Sequence, residues 1–206
     1  MMGYERPYLD FVLETIDAMY PRSQRESLAM CELGNQHLRR SCDPLTGGAA
    51  TAKAYFETIL RRHVSIDLNG EDGALPIDLN CPVIDGSLLS SFDIVTNSGV
   101  SEHVDDHYQC MATLYQLAKP GGLIVHLVPE VGSWPGHGKR WYRFGFFRAL
   151  DELVGTETLR RTRIAARGQQ SQLVAHATIQ AGAPSFISRD AFRALEDTYT
   201  TDRSGL

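Results

Sequence analysis

The chain has 206 residues, 43% of them hydrophobic and 22% charged, and a formal net charge of −5 at pH 7. A chain of this length buries about 70% of its unfolded surface, and its composition excludes collagen, a coiled coil and wholesale disorder. The acidic balance argues against a protein that coats nucleic acid. No run approaches the roughly 18 consecutive apolar residues of a membrane helix, so we expect no membrane partner.

Cysteine usage and the N-terminal sequence predict a cytoplasmic protein. The four cysteines include no CxxC pair, and we expect reduced thiols. Residues 1–22 lack the basic start of a signal peptide and are predicted to form an N-terminal helical extension. Because no repeat, low-complexity tract or linker divides the chain, residues 1–206 are predicted to form a single domain. Its oligomeric state is not indicated.

Hydrophobic periodicity predicts helices that alternate with strands up to about residue 155. The predicted strands cover residues 27–33, 63–68, 75–79, 92–96, 123–128, 159–166 and 172–179. The predicted helices cover residues 7–20, 49–62, 106–118 and 140–154, and a last helix starts at the N-cap candidate Ser188. This alternation implies right-handed crossovers and a mostly parallel sheet, and the last two strands imply an antiparallel closing hairpin. The fold class is therefore α/β.

Three predicted strand ends carry an acidic residue, Glu32, Asp67 and Asp78. Carboxyl ends of parallel strands meet at one edge of the sheet, where ligands bind near the switch point. The Asp67 carboxylate can accept hydrogen bonds from both hydroxyls of a ribose, Asp78 can meet an adenine edge, and Gly34 lets a ligand approach the backbone. These features predict an adenosine-bearing cofactor, although each acid is also compatible with a solvated loop or a turn cap.

Residues 92–104, FDIVTNSGVSEHV, and the later turn at residues 119–122, KPGG, carry a family resemblance. Together they are similar to the fourth strand, the Glu-His helix start and the KPGG turn of class I S-adenosylmethionine-dependent methyltransferases. The resemblance implies a three-layer Rossmann-like fold, S-adenosylmethionine as the cofactor and methyl transfer to an acceptor. We expect the acceptor to be a small or medium-sized molecule.

The resemblance also implies a set of cofactor-binding residues near the strand ends. They are Glu32, Gly34, Asn35, Asp67, Leu68, Asp78, Leu79, Asn97 and Ser98. Asp67 would hold the ribose, and Asp78 and Leu79 would meet the adenine. Asn97 or Ser98 would lie near the sulfonium.

The first motif departs from the family pattern. Glu32 and Gly34 would lie beside the methionine end of the cofactor, but the run of residues 32–37, ELGNQH, contains only one glycine. Asn35 is expected to replace a glycine in the turn, because asparagine adopts positive φ more readily than most residues. Asp67 also follows Glu32 by more than the roughly 20 residues of the usual nucleotide-binding unit. The extra length falls in residues 37–49, a predicted loop that either covers the cofactor or replaces part of its site.

Two other functions stay open at this point. The sparse first motif and the enlarged loop favour a non-catalytic binding or scaffold protein that retains the methyltransferase fold. A nicotinamide-dependent Rossmann enzyme is a third and weaker interpretation, since no GxGxxG motif follows Glu32.

Residues 129–147, PEVGSWPGHGKRWYRFGFF, follow the fifth strand of the family pattern and combine glycines with aromatic rings. We predict a substrate-side loop in which Trp134 and Trp141 either cover the acceptor or pack in the core. No catalytic residue is assigned, because the donor is already activated and a general base is optional. The candidates for such a base are Glu130, His137 and His103.

Histidine spacing predicts no metal site. His103 and His107 lie four residues apart and can share a helix face, but a metal site needs three or four converging ligands. His107 is expected to face water, and His126, within an apolar strand, is expected to be a buried core histidine.

Overall fold

The computed structural model describes residues 3–83, 85–165, 171–180, 182 and 186–202. The helices are α1 (Arg6–Met19), α2 (Asp43–Thr46), α3 (Ala52–Phe56), α4 (His107–Leu117), α5 (Phe146–Val154) and α6 (Arg189–Tyr199). The strands are β1 (Ala29–Leu33), β2 (Arg62–Ile66), β3 (Phe92–Ser98), β4 (Ala118–Pro129), β5 (Arg140–Tyr142), β6 (Glu157–Ala165), β7 (Gln172–Ile179) and β8 (Thr200–Asp202). Ala166, the predicted end of one strand, lies outside the described residues.

Six strands form one sheet in the order β2-β1-β3-β4-β7-β6. Strands β2, β1, β3 and β4 are parallel neighbours, whereas β7 runs antiparallel between β4 and β6. The predicted α/β fold with an antiparallel closing hairpin is therefore confirmed. The chain leaves β1 toward β2 on one side and reaches β3 on the other, so the switch point lies between the carboxyl ends of β1 and β3.

Alternating strand residues pack against helices on both faces of the sheet. Cys31 and Val95 belong to a core shared with α4, α5 and α6. Met30 and Ile94, the next residues along β1 and β3 in alternation, belong to a second core shared with α1 and α3. Because successive side chains of a strand point to opposite faces, these short apolar strands need a helical layer on each side. The result is the expected three-layer arrangement.

Local signals place several helix ends where they were predicted. Proline occupies the first turn of α1, where its missing N–H costs nothing. The Ser188 hydroxyl accepts a hydrogen bond from Ala191 N at 3.2 Å, which confirms it as the N-cap of α6. Asp106 caps α4 in the same way, accepting from Gln109 N at 2.9 Å.

The predicted helix over residues 140–154 is wrong in its first half. Trp141 lies in β5, which pairs antiparallel with β8 through Thr201, and α5 begins only after Gly145. Aromatic residues favour strands as well as buried helix faces, so the run of rings did not distinguish the two. The predicted helix 49–62 is also shorter than expected, since α3 ends at Phe56 and turns follow.

The segment 37–49 was predicted as a long loop, but it contains β-bridges and a short helix. His37 bridges to Thr51 and Leu38 bridges to Tyr4. The segment also contains α2 and the buried Cys42, which packs in the same core as α1. The additional residues between β1 and β2 therefore pack against α1 and the residues before it.

Candidate functional site

A cavity of about 370 Å³ lies at the carboxyl ends of β1, β2 and β3. Its lining residues come from the segment after β1, from the end of β2 and the region between β2 and β3, and from the segment after β3. They are Gly34, Gln36, Ile66, Asp67, Leu68, Ile77, Asp78, Leu79, Asn80, Gly99, Val100, His103 and Val104. The cavity therefore stands at the switch point of the sheet, where a ligand site is expected.

The predicted cofactor residues divide into two groups. Those that line the cavity are Gly34, Asp67, Leu68, Asp78 and Leu79. Those that do not line it are Glu32, Asn35, Asn97 and Ser98. The cavity lining also includes Gln36, Asn80, Gly99 and Val100, which were outside the predicted cofactor-binding set. Gly99 and Val100 lie inside the segment that carries the family resemblance.

Gly34 closes one side of the cavity with a left-handed turn. Its φ is +81°, and its N–H donates to the carbonyl of Ile66 at 2.7 Å. A Cβ at this position would lie 2.7 Å from both Gln36 Nε2 and Val100 Cγ2. The Gln36 amide is itself fixed, because it donates to the Ser98 carbonyl at 2.7 Å. Glycine is thus required by the backbone conformation and by the close approach of two cavity residues.

Glu32 and Asn35 support this turn from behind. Glu32 is fully buried, and its Oε1 accepts from Gln36 N at 3.2 Å. Burial raises the pKa of Glu32 well above its ordinary value. Asn35 N donates to Asp67 Oδ2 at 3.0 Å. The expectation that Asn35 adopts positive φ is wrong, because the left-handed residue of the turn is Gly34.

Asp67 follows β2, whereas Asp78 lies in the predicted strand 75–79, which does not form. Both aspartates keep acceptor capacity beyond their turn contacts. Asp67 accepts from Asn35 N through Oδ2 and from Asn69 N, at 3.1 Å, through Oδ1. Asp78 uses Oδ1 for the Asn80 backbone and side-chain amides, at 2.9 and 2.8 Å. A carboxylate offers about four lone-pair sites. Each aspartate can therefore accept further hydrogen bonds from a ligand.

Asn97 and Ser98 lie behind the cavity rather than in its lining. Both are buried in β3. The Asn97 amide donates to Ser101 Oγ at 2.8 Å and lies 3.2 Å from Nδ1 of His126. Burial lowers the pKa of His126 well below its ordinary value, so this core histidine is neutral. The Ser98 hydroxyl donates to the phenol of Tyr4 at 2.9 Å.

The hydrogen bonds at Asn97 continue through the protein as a buried chain. Ser101 Oγ lies 2.8 Å from the Tyr142 hydroxyl, which lies 2.9 Å from His107 Nε2. His107 Nδ1 in turn lies 2.6 Å from Glu196 Oε1 on α6. His107 is 2% exposed, so the expectation that it faces water is wrong. This chain fixes the segment that follows β3 against β5 and α6.

Two of the three candidate bases meet at the edge of the cavity. His103 lines the cavity, and its ring lies edge-on to that of His137 with centroids 4.8 Å apart. Burial lowers the pKa of His103, so its ring is neutral near pH 7. The third candidate, Glu130, does not line the cavity. Its carboxylate accepts two hydrogen bonds from Arg163 Nε, at 2.9 and 2.7 Å.

No residue of the segment 129–147 lines the cavity, but its middle part lies beside the lining residue His103. Lys139 N donates to the Glu102 carbonyl at 2.7 Å, which places His137 beside His103. Trp141 is fully buried, and its indole donates to the Trp134 carbonyl at 3.3 Å. Trp141 is therefore a core residue, whereas Trp134 is only partly buried.

A family model described as a methyltransferase domain matches residues 11–195. The chain belongs to this family. The predicted family and enzyme class, an S-adenosylmethionine-dependent methyltransferase, are thereby confirmed. A search of curated proteins found no match.

Solved structures agree with this methyltransferase fold at low sequence identity. N-methyltransferase NodS from Bradyrhizobium japonicum WM9, in complex with S-adenosylhomocysteine, has a TM-score of 0.54 at 12% identity, with 85% of this chain and 88% of that chain covered. The 1,6-didemethyltoxoflavin-N1-methyltransferase of Burkholderia thailandensis has a TM-score of 0.52 at 15% identity over 88% and 92% of the two chains. The [4+2]-cyclase SpnF has a TM-score of 0.57 at 10% identity over 88% and 87%. These likenesses show the fold alone.

None of the helices in the described part of the methyltransferase has the length and apolar character that crossing a membrane requires.

Proposed function

We propose that this protein binds S-adenosylmethionine in the cavity at the carboxyl ends of β1, β2 and β3 and methylates a small or medium-sized acceptor. The observation that carries the proposal is that Gly34, Asp67 and Asp78, each placed by a different segment, line one continuous cavity. Its volume of about 370 Å³ lies within the roughly 300–1,000 Å³ of small-molecule sites.

The lining supports the assignment of each part of the donor. Asp67 keeps lone pairs for the two ribose hydroxyls after its bonds to two backbone amides. Asp78 has a second oxygen available for the amino group of an adenine, and Ile77, Leu79 and Val100 provide apolar surface for the ring. The glycine turn at Gly34 leaves the backbone open to the methionine end.

Bound S-adenosylmethionine supplies a methyl group that is already activated by its sulfonium. The protein therefore needs mainly to orient the acceptor and to exclude water. We place the acceptor on the side of the cavity where His103 meets the segment 129–147, because that segment follows β4 on the ligand-binding edge of the sheet.

Calorimetric titration with S-adenosylhomocysteine tests this proposal, with Asp67→Ala as the variant. We expect one binding site in the wild-type protein. Loss of hydrogen bonds to a charged group costs about 1.5–3 kcal/mol, so Asp67→Ala should weaken binding by about 10- to 150-fold.

Asp85→Ala is the matched control for this variant. Asp85 accepts from the backbone amide two residues later, Ser87 N at 2.9 Å, as Asp67 does from Asn69 N, but it does not line the cavity. Asp85→Ala should leave affinity unchanged. If the folded wild-type protein does not bind S-adenosylhomocysteine, the proposal fails and a non-catalytic role of this fold takes its place.

A further inference from the structure

Glu102 is a buried acid with no evident structural role for its carboxylate. Its side chain is fully buried, and neither carboxylate oxygen has a hydrogen-bond partner among the described residues. A buried polar group without a partner is costly, and a buried unpaired charge more so. Such an acid in a native fold requires an explanation, and an ion that completes its contacts is one.

Two histidines face this carboxylate at distances too long for hydrogen bonds. Oε1 of Glu102 lies 3.9 Å from Nε2 of His103 and 3.7 Å from Nε2 of His137. One ligand atom from each of the three residues lies within 4.8 Å of the others. Metal bonds to nitrogen and oxygen are about 2.0–2.2 Å long, so the ligand atoms around one ion stand a little over 3 Å apart. The two distances from Oε1 of Glu102 exceed that spacing by roughly half an ångström.

The backbone brings His137 to Glu102 by a route that depends on glycine. Gly138 has a φ of +76°, and a Cβ there would lie 2.9 Å from Cγ of Glu102. Lys139 N donates to the Glu102 carbonyl at 2.7 Å, and His137 N donates to the Trp134 carbonyl at 3.0 Å. The turn is therefore held by main-chain contacts, and the His137 Nε2 atom itself is buried without a partner among the described residues.

We propose that Glu102, His103 and His137 bind one divalent transition-metal ion at the edge of the cavity. Two imidazoles and one carboxylate form a ligand set that Zn²⁺ and Fe²⁺ sites use with open coordination positions. Because His103 also lines the cavity, those positions lie next to the space assigned to the acceptor. The placement of the ion next to the acceptor rests on the proposed function. It specifies an acceptor that offers an oxygen ligand to the ion.

Direct metal titration of the chelator-treated protein tests the site. We expect one equivalent of Co²⁺ to bind with visible absorption bands of a histidine-ligated ion, and Zn²⁺ to displace it in calorimetry. Glu102→Gln and His137→Ala should each weaken binding at least about tenfold, since even a residue that supports a metal ligand costs 10- to 100-fold when changed. If Glu102→Gln does not fold, His137→Ala still tests the site, because the His137 side chain is partly exposed.

His37→Ala is the matched control. His37 lies 3.8 Å from Asp72, so it is also a histidine beside a carboxylate, but it belongs to no three-ligand cluster among the described residues. Its replacement should leave Co²⁺ affinity unchanged. Two results would overturn the metal site. One is that the wild-type protein binds no metal at 100 µM, taken as about the weakest useful affinity. The other is that wild type and His137→Ala bind metal with equal affinity.

Two further titrations separate this inference from the proposed function. Acetohydroxamate, an oxygen-donor probe, should change the Co²⁺ bands if open positions are present, and unchanged bands overturn the oxygen-acceptor part. S-adenosylhomocysteine should bind to Glu102→Gln and His137→Ala as it does to the wild-type protein. If the protein binds S-adenosylhomocysteine but no metal, the metal site alone is overturned. If it binds metal but no S-adenosylhomocysteine, the proposed donor site alone is overturned.

Discussion

Replacing Gly34 by alanine should destabilise the fold and weaken donor binding together. The left-handed backbone alone costs alanine about 1–2 kcal/mol. The new methyl group would also stand 2.7 Å from Gln36 Nε2 and Val100 Cγ2. Moving the Gln36 amide breaks its bond to the Ser98 carbonyl, worth about 1 kcal/mol, and overpacking against Val100 adds about 1–3 kcal/mol.

Gly47→Ala separates the backbone cost from the contact cost. Gly47 has a similar φ of +64°, but nothing lies within 4 Å of a Cβ there. In urea unfolding, Gly34→Ala should lose about 2–4 kcal/mol more than Gly47→Ala. In calorimetry, only Gly34→Ala should lose affinity for S-adenosylhomocysteine, by at least about tenfold. Equal losses of stability in the two variants, or unchanged affinity in Gly34→Ala, would refute the close packing described at this turn.

Three other perturbations test the core and its protonation. Trp141→Ala should lose about 3–5 kcal/mol in urea unfolding because Trp141 is fully buried, whereas Trp134→Ala should lose much less. Tyr142→Phe should lose about 1–3 kcal/mol, since it leaves the buried His107 nitrogen without its partner. Burial lowers the pKa of His63 from 6.5 to about 3, so the unfolded chain binds one more proton between these values and stability falls as pH decreases. From pH 6.5 to 4.5, wild type should lose about 2 kcal/mol more than His63→Phe in urea unfolding.

Each of these expectations has a clear contrary result. Similar unfolding free energies for the two tryptophan variants would contradict the different burial of their rings. A Tyr142→Phe protein as stable as wild type would show that the buried chain contributes little. Parallel pH profiles for wild type and His63→Phe would mean that His63 titrates alike in the folded and unfolded protein.

Part of the cavity lining was predictable because it follows single strand ends. Asp67 directly follows β2, and the carboxyl ends of parallel strands meet at one edge. Asp78 also lines the cavity, although its own apolar run forms no strand. The family resemblance placed Asn97 and Ser98 in the site, just beyond the predicted end of β3 at residue 96. The strand continues to Ser98, so both residues pair with residues of the neighbouring strand β4. The turn that reaches the cavity begins at Gly99.

The region around Glu102 was not predictable in the same way, because it depends on contacts between distant segments. Strands β5 and β8 have only three residues each, too few for a periodic signal, yet their pairing sets the path of the chain after β4. His137 reaches Glu102 through main-chain contacts of a glycine turn. No residue spacing around His137 or around Glu102 predicts the contact between them.

The buried hydrogen-bonded chain from Asn97 to Glu196 also bears on the order of events during synthesis. It joins β3 to α6, and contacts of large sequence separation form slowly. Glu196 emerges from the ribosome after all six strands of the large sheet, and a domain generally folds as one unit. The buried chain that holds the segment after β3 against α6 can therefore close only after the last helix has been synthesised.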